Sequence, residues 1–333
     1  MQTRSLTNRL RRRAVVLRQQ RSQGGFTLLE LLVVVAILAA VAGTATIALQ
    51  DTDARAAAAA HVAMMDELNK GLLTYEALNF GAFPDRFDSM LQLDNTGTDT
   101  TSAGAEAIGT GVAGDDVVAI DGADRVAFAM TQDIVDAMDA VGITQLRYID
   151  TSLNAAGVAA QDDPDYDCAN LQQTFLSRNN AVVAGNMFLS PDANGCGVSV
   201  ALDSDGAGTA AAPILWTWTG GNERITGNDA DPDWDGTLAG SANSEVFVML
   251  GIGPSSSLFD RTGTGALTTV PIYRHVSNIE YNRFIALFHV ADINGAGDAI
   301  NVADQVVLVG IVDGAGDTKE EELGEWDGTR NTI

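Results

Sequence analysis

Four carboxylates at alternate positions, Asp229, Asp231, Asp233 and Asp235, run into Gly236. Alternate side chains of such a loop can converge on one hard cation while a glycine lets the backbone curl round it, as in the D-x-D-x-D-G half of a calcium loop. The twelfth position from Asp231 is Ala242 rather than glutamate, so the helix-loop-helix version is not matched; Glu245 would serve in a longer loop. A solvated acidic turn is the competing reading. Asp162–Asp167, Asp203–Gly206 and Asp313–Asp317 have similar composition and read first as turns. Cys168 and Cys196 are the only cysteines and would close a loop of about 29 residues as one disulfide, unless they are two buried thiols.

Catalytic patterns are scarce. His61, His275 and His289 are the only histidines, with no H-E-x-x-H and no paired spacing for zinc. His61 falls in a helical pattern and reads as a surface or packing residue. No G-x-S-x-G elbow occurs. Gly109–Gly114 is formally G-x-G-x-x-G, but no strand leads into it and Val117–Ile120 after it looks like a strand, so it reads as loop. Trp216 and Trp218 alternate on one strand face and read as packing or interface residues. The expectation is a protein that is not an enzyme.

The most specific pattern lies near the N-terminus. Residues 1–25 carry seven arginines (Arg4, Arg9, Arg11, Arg12, Arg13, Arg18 and Arg21) and no acid, whereas 26–49 contain one ionisable side chain, Glu30. Those 24 residues exceed the ~20 apolar residues that a bilayer span needs. A basic flank keeps its end of a span in the cytoplasm. A secretory signal is cut after its apolar run, but here the small pair Gly24-Gly25 precedes the run, so a cut there would leave the span on the mature chain. Glu30 is costly in lipid, about 2.5–3.5 kcal/mol on insertion scales, and intramembrane acids are usually paired and functional.

This arrangement, Gly25-Phe26-Thr27-Leu28-Leu29-Glu30 before an apolar run, resembles the class III signal of type IV prepilins and type II secretion pseudopilins. The resemblance covers roughly the first 55 of 333 residues. It implies cleavage between Gly25 and Phe26 by a prepilin peptidase, methylation of the new Phe26 amine, and pairing of Glu30 with the N-terminal amine of a neighbouring subunit during assembly. A snorkelling or protonated Glu30 in a plain signal anchor is the alternative. Calcium sites are common in pseudopilin heads, which favours calcium at Asp229–Asp235. Leu73–Tyr75 and Asn79–Pro84 resemble the helix exit of the major pseudopilins, although a Gly followed by Pro is also a generic helix stop.

Composition bounds the rest. The chain carries a net charge of −25, and loss of the leader would leave 12 basic against 44 acidic residues over 308, or −32. Such a surface repels phosphate backbones, so nucleic acid is not expected as a partner. Aromatics are only 6% and glycine is abundant, which favours many turns and a modest core.

The elements that must position these residues begin with a helix. Val62, Met65, Leu68, Leu72, Tyr75 and Leu78 recur at three- and four-residue spacing, and no proline precedes Pro84. One helix from about Phe26 to Asn79 would be ~80 Å long, in lipid over its first half and packed on a head over its second. Gly43 is its one weak point. Thr131–Val141, closed by Gly142, predicts a short capped helix. Strands are expected at Thr144–Ile149, Val182–Leu189, Val198–Leu202, Ile214–Thr217, Glu245–Leu250, Val270–His275, Arg283–Val290 and Gln305–Val312. The fold class is thus α+β: a long N-terminal helix on a large, antiparallel, β-rich head. The organisation expected is a leader 1–25, a helix 26–79 spanning the membrane over 26–49, and a head 80–333 with an inserted lobe near 150–240.

The function implied is a structural subunit of a type II secretion pseudopilus or type IV pilus. Its partners would be prepilin peptidase, an inner-membrane assembly platform and other subunits, itself included. The N-terminus would be cytoplasmic and the head periplasmic or extracellular. Glu30 favours a place in the filament body. A tethered adhesin with an acidic head and, further off, a membrane-anchored hydrolase are the rivals.

Overall fold

The computed structural model describes residues 27–92, 106–107, 120, 123–149, 197–202, 214–227, 233–238, 242–260, 267–273, 275–276, 281–297 and 299–327. It divides into two compact units, 1–56 and 57–333. The first helix, α1, covers Leu28–Leu78. It runs unbroken through Gly43, where an added Cβ would meet nothing within 4 Å. Within the second unit its buried positions are Ala58, His61, Met65, Leu68 and Leu72. That alternating three- and four-residue spacing keeps one stripe on the core. The expected stripe was shifted: Leu78 is exposed because it sits in the last turn before the chain leaves the helix, and His61 is buried. Gly71 belongs to the same face, and a Cβ there would press on Leu267.

At the helix exit Phe80 and Gly81 both take positive φ (59° and 93°), a left-handed reversal that glycine adopts without strain. Pro84 follows, and strand β1 covers Phe87–Gln92. Then come β2 (Glu106–Ala107), β3 (Arg125–Ala129), α2 (Gln132–Ala140), β4 (Gln145–Ile149), β5 (Gly197–Ala201), β6 (Ile214–Trp218), α3 (Glu223–Thr226), β7 (Glu245–Gly251), β8 (Ile285–Ile293), β9 (Ile300–Val312) and α4 (Lys319–Asp327). The described strands form one sheet with the path β3-β6-β7-β1-β4-β5, extended by β8 and β9 from β7 and by β2 from β1. The class is α+β, as expected, but the sheet is mixed. Strands β1 and β4 pair in parallel, Phe87 opposite Leu146. A parallel partner needs a crossover, and here β2, β3 and α2 lie between the two in sequence. The other pairs are antiparallel, including the long β8–β9 ladder.

Helix α2 follows its predicted chemistry. Thr131 caps it, accepting from Ile134 N at 3.4 Å, and Ile134, Val135 and Met138 are buried. The core joins these to α1 and to the inner faces of β7 and β8. Phe83 and Phe87 meet Phe288 edge-on at 5.1 and 5.6 Å. Val270–His275 departs from expectation. Its described residues are irregular, because Pro271 has no N–H to give a ladder and the Val270 and Pro271 carbonyls accept from Arg283 Nη1. Val182–Leu189, Val117–Ala119, Gly109–Gly114 and most of the expected lobe at 150–240 lie outside the described residues. Strands β5 and β6, which fall in that range, belong to the main sheet.

Candidate functional site

Among the described residues one helical stretch is long and apolar enough to cross a membrane, Leu28–Thr46, of 19 residues. Its leucines, valines and isoleucine are exposed all round, the pattern of a helix made for lipid or for burial among other helices. Gly25 and Phe26 lie outside the described residues. Glu30 sits in the first turn. Its Oε2 accepts from Thr27 N at 2.9 Å and Thr27 Oγ1 at 3.0 Å, while Thr27 Oγ1 accepts from Glu30 N at 3.3 Å. This is a capping box, T-x-x-E, in which cap and third residue satisfy each other's orphan amides. The T-x-x-E spacing is visible in the sequence, but neither pairing nor snorkelling accounts for this local role of Glu30.

The acidic loop is described in part. Asp229 and Asp231 lie outside the described residues, as do Cys168 and Cys196. Asp233 Oδ1 accepts from Asn222 N at 2.7 Å. Asp235 Oδ1 accepts from Thr237 N and Oγ1, each at 2.8 Å, and Gly236 has φ 85°. Both carboxylates are exposed, and they flank Trp234, which is buried with Nε1 donating to Thr217 Oγ1 at 2.9 Å. Glu245 groups instead with His289 and Asp292.

The tryptophans of β6 pack, as their alternation implied. Trp216 Nε1 donates to Met90 O, and the Arg125 guanidinium lies 4.3 Å from its ring centre. Trp218 Nε1 donates to Gly221 O, with Arg224 over its ring at 5.0 Å. Arg224 also grips Glu321 with two 3.0 Å bonds and reaches Asp124 at 3.2 Å, tying α3 to α4.

Two polar clusters, the first buried and the second reaching solvent at His275, were not legible in sequence. In the first, Asp88 of β1 is fully enclosed; its Oδ2 accepts from Tyr281 Oη at 3.1 Å and its Oδ1 has no partner. Burial pushes the carboxyl up to about 7, with Tyr281, Arg283 and Arg147 pulling the other way. Gly253 and Gly251 make room, since a Cβ at either would collide with the Asp88 carboxylate or the Tyr281 hydroxyl. The second cluster joins His61 of α1, His275, Asp313, Asp317 and Glu322 of α4. Burial, then Glu322 and Asp317, raise Asp313 to about 8. Burial also opposes ionisation of Glu322, but His61, Asp313 and His275 outweigh it and hold that carboxyl below its ordinary range. Burial and His61 lower His275.

Residues 20–46 match the family model of the prokaryotic N-terminal methylation motif. Neither a curated protein nor a solved structure matches the chain. The motif supports a type IV pilin-like or pseudopilin-like protein. It implies processing by prepilin peptidase and assembly with other such subunits, and with the apolar helix it points to membrane anchoring through the N-terminus.

Proposed function

We propose that this pilin-like chain is a structural subunit of a helical filament, a type II secretion pseudopilus or a type IV pilus. Cleavage between Gly25 and Phe26 frees an amine; the subunit waits in the inner membrane, N-terminus at the cytoplasmic face and head outside. It then polymerises through its apolar helix. The observation that carries this reading is Glu30, the one ionisable side chain in the apolar, all-round exposed stretch Leu28–Thr46 of α1, in register with the methylation motif. Within the chain Glu30 caps its own helix through Oε2. A carboxylate that stayed in lipid with only that partner would be costly, and a neighbour's new amine is a counter-charge delivered by processing itself.

Capping and pairing are separable. Glu30→Gln keeps the reciprocal cap, which glutamine also makes, but removes the charge. The variant should be processed and inserted like the parent while sheared filament yield falls sharply. Filaments at parental yield from Glu30→Gln would rule out a required charge pair and reduce Glu30 to a helix cap.

A further inference from the structure

We propose that His61, His275 and Glu322, with Asp313 beside them, form a site for a divalent transition cation, zinc in the first instance. Its ligands come from α1, the loop before β8, and α4. One ligand atom from each of His61, His275 and Glu322 lies within 4.8 Å of the other two, and Asp313, Asp317 and Glu322 satisfy the same condition. Ligands ~2.0–2.1 Å from one tetrahedral ion sit about 3.3 Å apart. His61 Nδ1 and the Glu322 carboxylate approach to 3.6 Å at Oε1, too far for a hydrogen bond and near enough for the carboxylate to share one ion with the ring.

The second observation is a set of orphaned atoms. His61 Nδ1, Glu322 Oε2 and Asp313 Oδ2 are buried without a hydrogen-bond partner, and their residues are only 4%, 1% and 0% exposed. Buried polar atoms are nearly always satisfied, and one ion would satisfy all three, whereas a proton shared between the two carboxylates would leave His61 Nδ1 unpartnered. The other oxygen of each carboxylate is already committed. Asp313 Oδ1 accepts from Ala315 N and Asp317 N at 2.8 and 3.0 Å, and Glu322 Oε1 accepts from Tyr273 Oη at 3.3 Å. These bonds orient the carboxylates as outer-shell contacts do at metal sites. The His61 and His275 rings meet edge-on, 4.3 Å between centres, which brings two imidazole nitrogen donors to one place. His275 is exposed and gives the ion a way in from solvent. Imidazole nitrogen with carboxylate oxygen suits zinc, whereas an all-oxygen set would suit calcium. A bound ion would fasten α4 to α1 beside the Lys319–Asp66 ion pair, making the seating of the C-terminal helix depend on metal.

Untagged full chain, purified in detergent and stripped with chelator, should take up one zinc per molecule in competition with a chromophoric chelator. Cobalt in its place should give the strong visible bands of a four-coordinate N/O site. His275→Ala removes an exposed side chain, so folding is spared. It and Glu322→Gln should each weaken zinc binding by at least the ~100-fold that loss of an outer-shell contact can reach. Asp133→Ala, at an exposed acid of α2, should leave zinc binding unchanged. Substoichiometric uptake, or equal affinity in His275→Ala, would overturn the site and leave Asp313 and Glu322 sharing a proton.

Discussion

Asp88 should make the head less stable as pH rises, through the physiological range where paired carboxylates normally help. Its folded value of about 7 lies roughly three units above the ordinary 3.8, or about 4 kcal/mol at 1.36 kcal/mol per unit. For an acid whose pKa is raised on folding, the neutral form favours the fold. The contribution is therefore complete below pH 3.8 and lost as pH climbs through 7. Above the sequence pI of about 4.2, between pH 5 and 8, roughly 2–3 kcal/mol of that loss should be measurable. Asp88→Asn supplies the reference, since asparagine keeps an acceptor for Tyr281 Oη and cannot ionise. Denaturant unfolding of the full chain in detergent can be followed by the fluorescence of the buried Trp216, Trp218 and Trp234. The parent should lose stability relative to Asp88→Asn from pH 5 to about 7 and level off above it, other titrating groups cancelling in the difference. Parallel curves would mean Asp88 does not titrate in this window. A parent that gains on the variant as pH rises would mean that Arg147 and Arg283 outweigh burial.

Two further outcomes follow from the contacts. Arg224→Lys keeps the charge but loses the two-pronged grip on Glu321, and at a site about a quarter exposed the cost should be about 1 kcal/mol, the screened end of a charge-assisted pair; denaturant midpoints equal to the parent's would count against α4 being held there. The loop Asp229–Asp235 is proposed to bind calcium. At a hundredfold excess over Kd the ion would then add about 2.7 kcal/mol, so calcium should raise the melting temperature over chelator and Asp233→Ala should shrink the gain, whereas an unchanged melting temperature would leave a solvated turn.

What the sequence made legible were elements with a local cause. Helix α2 was visible because Thr131, its apolar triplet and Gly142 all lie within a dozen residues. Strands β4 to β9 showed in β-branched and aromatic runs. Strand β1 was missed because Asp88 and Ser89 interrupt its apolar pattern and both are buried, a cost that only the assembled sheet offsets. Helix α4 was missed because Lys319–Asp327 is charged, with no apolar stripe; partners distant in sequence hold it, Arg224 at Glu321 and Asp66 at Lys319. Yet its start was readable, since Thr318 and Glu321 form the same T-x-x-E box as Thr27 and Glu30. His61 could have been placed from its position on the stripe with Ala58, Met65 and Leu68. Its proposed co-ligands could not, because His275 and Glu322 come from segments more than two hundred residues away.

Assembly as proposed requires cleavage at one bond that retains the apolar helix. Mass spectrometry of the chain recovered from membranes that contain a prepilin peptidase reads the mature N-terminus directly. The expected terminus is Phe26 carrying a methylated amine, with Glu30 as the fifth residue. A chain that begins at Met1, or one cut after Ala42 so that the helix is lost, would contradict it.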